Sequence, residues 1–203
     1  MISTIKVDPQ NNLELLQKVL RLRYEVYCLE RGFEKVEDHP NGFDCDPYDE
    51  QSIHLAALCE QSQEVVGTVR LIRHSELGFP LEKIFKVYLS SSNICKSCIC
   101  EISRLSVPRK YRDNFAIIRK LFLRLALESH DLGLTHWCAA MAKGLPVLLR
   151  RNNIHFQKIG PEIEYHGLRS PYFGSISEIV RQHEDFLLYK SYQEGLKVAE
   201  ALC

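Results

Sequence analysis

Hydrophobic positions recur along this chain with two periods, and the switches between them mark its elements. Residues 2–7 alternate as a short strand. Asp8-Pro9 then reads as a helix cap with proline at the first helical position, and Leu13, Leu16, Leu20, Tyr24 and Tyr27 follow at three- and four-residue steps as one helical face ending near Gly32. Over residues 32–51 neither period survives. Turn formers, acids and aromatics are mixed there, which predicts a long irregular loop packed down by Phe33, Phe43 and Tyr48. Alternation returns over residues 52–59 and 65–74 on either side of the polar turn 60–64, the pattern of an antiparallel hairpin. Gly67, in its second strand, permits a bulge or a close approach.

The next strand is unusual. Residues 99–107 are rich in β-branched and apolar side chains yet hold Glu101 and Arg104, and a buried strand ordinarily carries neither. Pro108 cannot donate to a ladder, so the strand ends where these charges are presented. Before it lie a short amphipathic piece at 81–85 and a serine-rich loop. After it, Asp113 or Asn114 caps a helix with Phe115, Ile118, Leu121, Phe122, Leu125 and Leu127 on its inner face, stopped by Gly133. Residues 134–141 predict a strand, 145–152 a short helix, 154–159 and 163–168 two more strands, and 176–201 a largely helical end opened by the capping-box pattern Ser175-x-x-Glu178. A hairpin in the first half and alternating helices and strands in the second imply one mixed sheet with helices on both faces.

Composition narrows the setting. The chain has 203 residues, 45% of them hydrophobic, and a mean hydropathy of -0.18, which suits one domain over residues 1–203 with a substantial core. Lys plus Arg and Asp plus Glu are equal at 26 each, so no overall charge points to nucleic acid or an anionic membrane. No leader-like opening and no long apolar run occur, and a cytoplasmic protein without stable membrane insertion is expected. The cysteines sit mostly singly in apolar contexts. Cys95-x-x-Cys98-x-Cys100 lacks the second pair of a zinc site, and Asp44, Asp46 and Asp49 lack the spacing of a calcium loop, so no metal is expected.

The order of elements resembles the GNAT acyltransferase fold, an α+β, three-layer αβα sandwich around a mixed, mostly antiparallel sheet, in which a thioester donor slips between two splayed central strands. More specifically, Arg23-x-x-Val-Tyr27, Arg31-Gly-Phe33, Asp44-x-Asp46-x-x-Asp49, His54-Leu, Gly67-Thr-Val-Arg70-Leu and Glu101-x-Ser-Arg104 resemble the motif set of acyl-homoserine-lactone synthases. Phe33 stands where those synthases have tryptophan, and Asp44 replaces a glutamate. Thr135-His136-Trp137 and Ile159-Gly-Pro-x-x-Glu164-Tyr-His166-Gly-Leu-Arg169 resemble instead the N-acyl amino acid synthases and exosortase-associated acyltransferases.

The resemblance implies an N-acyltransferase that moves a long-chain acyl group from acyl carrier protein to the α-amine of an amino acid. The donor is then an acyl-phosphopantetheine, with no resident cofactor. Two other readings stand beside it: a lactone synthase using S-adenosylmethionine, and an inactive module that only binds carrier protein. Glu101 is the candidate base, since a carboxylate in an apolar strand has a raised pKa and a fixed orientation. Main-chain groups of Leu105, Ser106 and Val107 are candidates to hold the thioester and its pantetheine arm. Arg70 or Arg104 suits an amino acid carboxylate. Equally, Arg23, Asp44, Asp46, Asp49, Arg70 and Arg104 suit a neutral charge network that pins the long loop, with Tyr27 and Phe33 beside it. His136 and Trp137 either line a pocket or belong to the core. The turn after residues 99–107 has no glycine and is basic. Arg109, Lys110, Arg112, Arg119, Lys120 and Arg124 form either a solvated face or a dock for an acidic carrier protein.

Overall fold

The computed structural model describes residues 1–87, 89 and 94–181. Its strands are β1 (Ile2–Val7), β2 (Ser52–Cys59), β3 (Val65–Arg73), β4 (Ile99–Ser106), β5 (His136–Ala142), β6 (Gln157–Lys158), β7 (Ile163–Glu164) and β8 (Leu168–Ser175). Its helices are α1 (Leu13–Tyr24), α2 (Pro80–Phe85), α3 (Phe115–Asp131), α4 (Gly144–Arg151) and α5 (Ile176–Arg181). One sheet runs β1-β2-β3-β4-β5-β8-β6, with β7 paired to β8, and every pairing is antiparallel except β4 with β5. This is a GNAT-like αβα sandwich, as the sequence leads one to expect.

Three clusters make the core. On one face, α3 lays Ile117, Leu121 and Leu125 on Leu55, Val69, Leu71 and Cys100 of the sheet. Gly67 makes that approach possible, because a Cβ there would lie 2.7 Å from Ile117 Cγ2. A bulge between β2 and β3 sits beside it, where Ala57 pairs Gly67 and Leu58 pairs Val65. On the other face, α1 covers β1 and β2 through Leu15, Val19 and Leu22, and α2 covers the start of β4 and β5 through Leu81 and Phe85. Between those two patches that face of the sheet carries His54, Arg70 and Glu101, and the candidate site lies there.

Several elements differ from expectation for identifiable reasons. Asp8 does not cap α1; its carboxylate accepts the Gln10 N–H at 2.9 Å and closes a separate turn, and Asn12 caps the helix through the Leu15 N–H at 3.0 Å. The buried face, packed on Val7 and Ala56, is Leu15, Val19 and Leu22, while Leu13 is 60% exposed. The helix then continues as a π-helical turn over Glu25–Glu30, a widening often found at functional sites. Residues 163–168 are not the last strand. β8 follows them, hidden in the sequence by Pro171 and Gly174. The Pro171 carbonyl accepts the Ile159 N–H at 3.0 Å, so the missing proline N–H falls on the side of β6 and leaves the pairing with β5 intact. The helix expected over residues 176–201 is present to Arg181, and the remainder lies outside the described residues.

Candidate active site

The site begins with two irregularities of β4. Opposite Val69 of β3, β4 places two residues, Arg104 and Leu105, between the pairs Arg70↔Ser103 and Thr68↔Ser106. Arg104 takes φ +52°, a left-handed conformation that costs a side-chain-bearing residue about 1–2 kcal/mol. The second irregularity is on the other edge. β4 pairs with β5 only through Ile99, Cys100 and Glu101. Beyond Glu101 the strands part, and a cleft of about 700 Å³ opens between them. On the α3 side its walls are apolar, with Ile102, Ile118, Phe122, Met141, Leu145 and Leu148. On the opposite side they are aromatic and charged, with Tyr27, Phe33, Tyr48, Arg70, Arg104 and Tyr165.

The charged side is one connected network. Arg23, fully buried, donates from Nε to Asp44 at 3.1 Å and from Nη1 to Asp49 at 2.7 Å. Arg70 spans Asp46 at 2.7 Å and Asp49 at 2.6 Å, and its Nε donates to Ser103 Oγ at 2.9 Å. Arg104 holds Asp44 at 2.8 Å and Glu34 at 2.9 Å, and lies over the Tyr27 ring at 5.0 Å. These bonds offset the backbone strain at Arg104 and tie the long loop to α1, β3 and β4. Burial opposes ionisation of Asp44 and Asp49, but the neighbouring guanidiniums win and hold both carboxyls below the usual range. Glu34 is a member that the sequence pattern did not show. Arg70 and Arg104, the expected grips for an acceptor carboxylate, both line the cleft, and each is already paired with two or more carboxylates of the loop.

Two titratable groups lie behind this network. Glu101 is 3% exposed, and its Oε2 accepts the Leu81 N–H at 2.9 Å, at the start of α2. Burial pushes its carboxyl up to about 8, against the opposing pull of that N–H and of Arg70. It sits directly behind Pro80, Ile102 and Ser103, which do line the cleft. His54 is also buried, with Nε2 3.7 Å from Asp49 and Nδ1 without a hydrogen-bond partner. Burial lowers its pKa to about 4, aided by Arg23 and Arg70 and opposed by Asp49. A folded pKa below the ordinary value means that the stabilisation is present above pH 6.5 and lost as pH falls towards 4. His54→Gln should therefore escape about 3 kcal/mol of destabilisation that the wild type suffers across that window. Paired urea melts at pH 7 and pH 4.5 check this, and equal losses in the two proteins would contradict it.

Other expected site residues fall elsewhere. Trp137 is fully buried against Phe122 and Phe156, and its Nε1–H donates to Ser129 Oγ at 2.9 Å. His136 stacks on Phe173 at 5.0 Å. Both lie where β5 is still paired with β4, so neither lines the cleft. Leu105 and Val107 do line it, whereas the Ser106 side chain is buried and turns back to the Arg104 carbonyl at 3.1 Å. The basic run is no open dock of six charges. Lys110 pairs Glu64 at 2.6 Å, Arg124 pairs Glu128 at 2.7 Å, Arg112 pairs Glu30, and Lys120 donates to the Ile2 carbonyl. Cys100 and Cys138 are buried thiols pushed up by burial, which suits small core side chains rather than nucleophiles. Among the described residues no helix is long and apolar enough to cross a membrane.

Residues 22–120 match the acetyltransferase (GNAT) domain family, a span that contains the charged network and β4 but ends before β5. BjaI, described as a CoA-dependent acyl-homoserine lactone synthase with SAM and isopentyl-CoA, superimposes with a TM-score of 0.71 at 22% identity over 92% of this chain and 89% of its own. MesI, another CoA-dependent acyl-homoserine lactone synthase, gives 0.68 at 17% identity over 90% of this chain and 92% of its own. FeeM, an N-acyl amino acid synthase from uncultured soil microbes, gives 0.61 at 14% identity over 93% of this chain and 98% of its own. No curated protein sequence matches the chain.

Proposed function

We propose that this protein is an N-acyltransferase that moves a long-chain acyl group from the phosphopantetheine thioester of acyl carrier protein to the α-amine of an amino acid. The observation that carries this reading is the cleft itself. It passes between the two central strands and joins an apolar chamber to a charged one, which suits a reaction uniting a fatty chain with a polar amine.

The chemistry follows from the parts. The amine nitrogen attacks the thioester carbonyl carbon, the oxyanion collapses, and the thiolate leaves with its electron pair and takes up the second nitrogen proton as the free thiol. Past Glu101 the β5-facing edge of β4 has no strand to pair with, so its main chain is available to bind the pantetheine arm and the developing oxyanion. Glu101, behind the lining of the cleft, takes the ammonium proton through water, and a carboxyl held near 8 is well matched to that task at mildly basic pH. BjaI and MesI are CoA-dependent by their own descriptions. In this chain the turn after β4, residues 108–114, offers no glycine for the close approach of a pyrophosphate, which favours a carrier-protein donor.

Mass spectrometry of organic extracts from expressing cells tests the reading. N-acyl amino acids are expected. Acyl-homoserine lactones would assign the site to S-adenosylmethionine instead, and no new lipid would leave only a carrier-binding module.

A further inference from the structure

Around the charged side of the cleft, Arg23, Arg70 and Arg104 are each paired with at least two carboxylates. Arg169 is different. It stands on β8 just past the hairpin turn Tyr165-His166-Gly167, in register with Ile163 of β7. The turn is tightly specified. Gly167 takes φ +89°, its N–H donates to the Glu164 carboxylate at 3.0 Å, and the Tyr165 N–H donates to the Gly167 carbonyl at 3.1 Å. Arg169 Nε donates to the His166 carbonyl at 3.3 Å, and its guanidinium lies over the Phe33 ring at 4.4 Å. One nitrogen and one face are thus occupied. Among the described residues no carboxylate lies within ion-pair distance of it, although it lines the cleft. A guanidinium oriented by stacking, with its terminal nitrogens left over, is preorganised for a planar anion.

Charge decides which anion suits the chamber. The network holds three guanidiniums, of Arg23, Arg70 and Arg104, against four carboxylates, of Glu34, Asp44, Asp46 and Asp49, and of these carboxylates Glu34 and Asp46 line the cleft, as do Arg31 and the Glu30-paired Arg112. A guanidinium without a carboxylate at the hairpin wall, in a cleft that also presents the carboxylates of Glu34 and Asp46, offers separate places for the two charges of a zwitterion. Resting on the N-acyltransferase reading above, we infer that Arg169 binds the α-carboxylate of the acceptor amino acid. That grip leaves the ammonium towards the acidic side of the chamber. Phe33, on the long loop, is then a positioning residue, since its ring fixes the plane of the guanidinium.

The test uses competing pools of the amino acids and of their α-carboxamides, with long-chain acyl carrier protein as donor and products read by mass. The wild type should prefer acids over amides by about 10- to 100-fold, the worth of one charge-assisted pair. Arg169→Gln should abolish that preference while leaving donor KM unchanged, and Arg169→Lys, which keeps the charge without the fork, should retain part of it. A retained preference in Arg169→Gln, with a folded protein confirmed by its melting temperature, overturns the inference. A rise in donor KM instead would place the guanidinium on the donor's phosphodiester and also overturns it. Failure of the wild type to acylate either pool would count against the acyltransfer reading itself, which separates the two failures.

Discussion

Asp44→Ala should destabilise the protein by about 3–5 kcal/mol, the scale expected when one partner of a buried ion pair is removed and the other charges are left behind. Asp44 has no exposed side-chain surface and serves Arg23 and Arg104 together. Its loss strands two guanidiniums and releases the strained backbone at Arg104 from one of its two short anchors. Asp46→Ala is the matched control. Asp46 is 22% exposed and Arg70 retains Asp49, so the loss should be smaller. Urea unfolding of both variants at pH 7 checks the order, and an Asp44→Ala protein as stable as the wild type would show that the network does not hold the loop.

Glu101→Gln should lower kcat by about 10²- to 10⁴-fold, the usual worth of a general base, while raising stability at alkaline pH. The two effects run in opposite directions, so one cannot produce the other. Glutamine keeps an oxygen to accept the Leu81 N–H and so preserves the anchor of α2. In the wild type the folded pKa is raised to about 8, so the associated stabilisation is complete below about pH 4.5 and disappears as pH rises through 8. The variant has no such loss. Its melting temperature should therefore exceed that of the wild type above pH 8, and the rise in kcat through about pH 8 should be absent. A variant that melts higher yet turns over normally would reduce Glu101 to a structural post.

Much of this site was legible before any coordinates, because charges in apolar strands are costly and announce themselves. Arg70 within Val-Arg-Leu and Glu101 and Arg104 in the fourth strand are such cases, and the acids of the long loop were the obvious partners. What was not legible depended on register and phase. The face of α1 was displaced because Leu15, Val19 and Leu22 recur at the same three- and four-residue steps as Leu13, Leu16 and Leu20, and only packing on β1 and β2 selects between them. Whether His136-Trp137 line a pocket or belong to the core stayed open, because where β4 and β5 part is set by three residue pairs of a parallel ladder, which no local pattern encodes. Arg169 stood out only as the end of the motif over residues 159–169, and its place at the site was hidden because Pro171 and Gly174 disguise its strand and its platform, Phe33, is far away in the chain.

The most direct test mixes purified protein with long-chain acyl carrier protein and, in separate reactions, an equimolar amino acid pool or S-adenosylmethionine, and follows thioester loss together with product mass. An amide of a proteinogenic amino acid, formed at a rate that falls with Glu101→Gln, is the predicted result. Acylation of S-adenosylmethionine alone, or binding of the carrier protein with no thioester loss, would contradict the account.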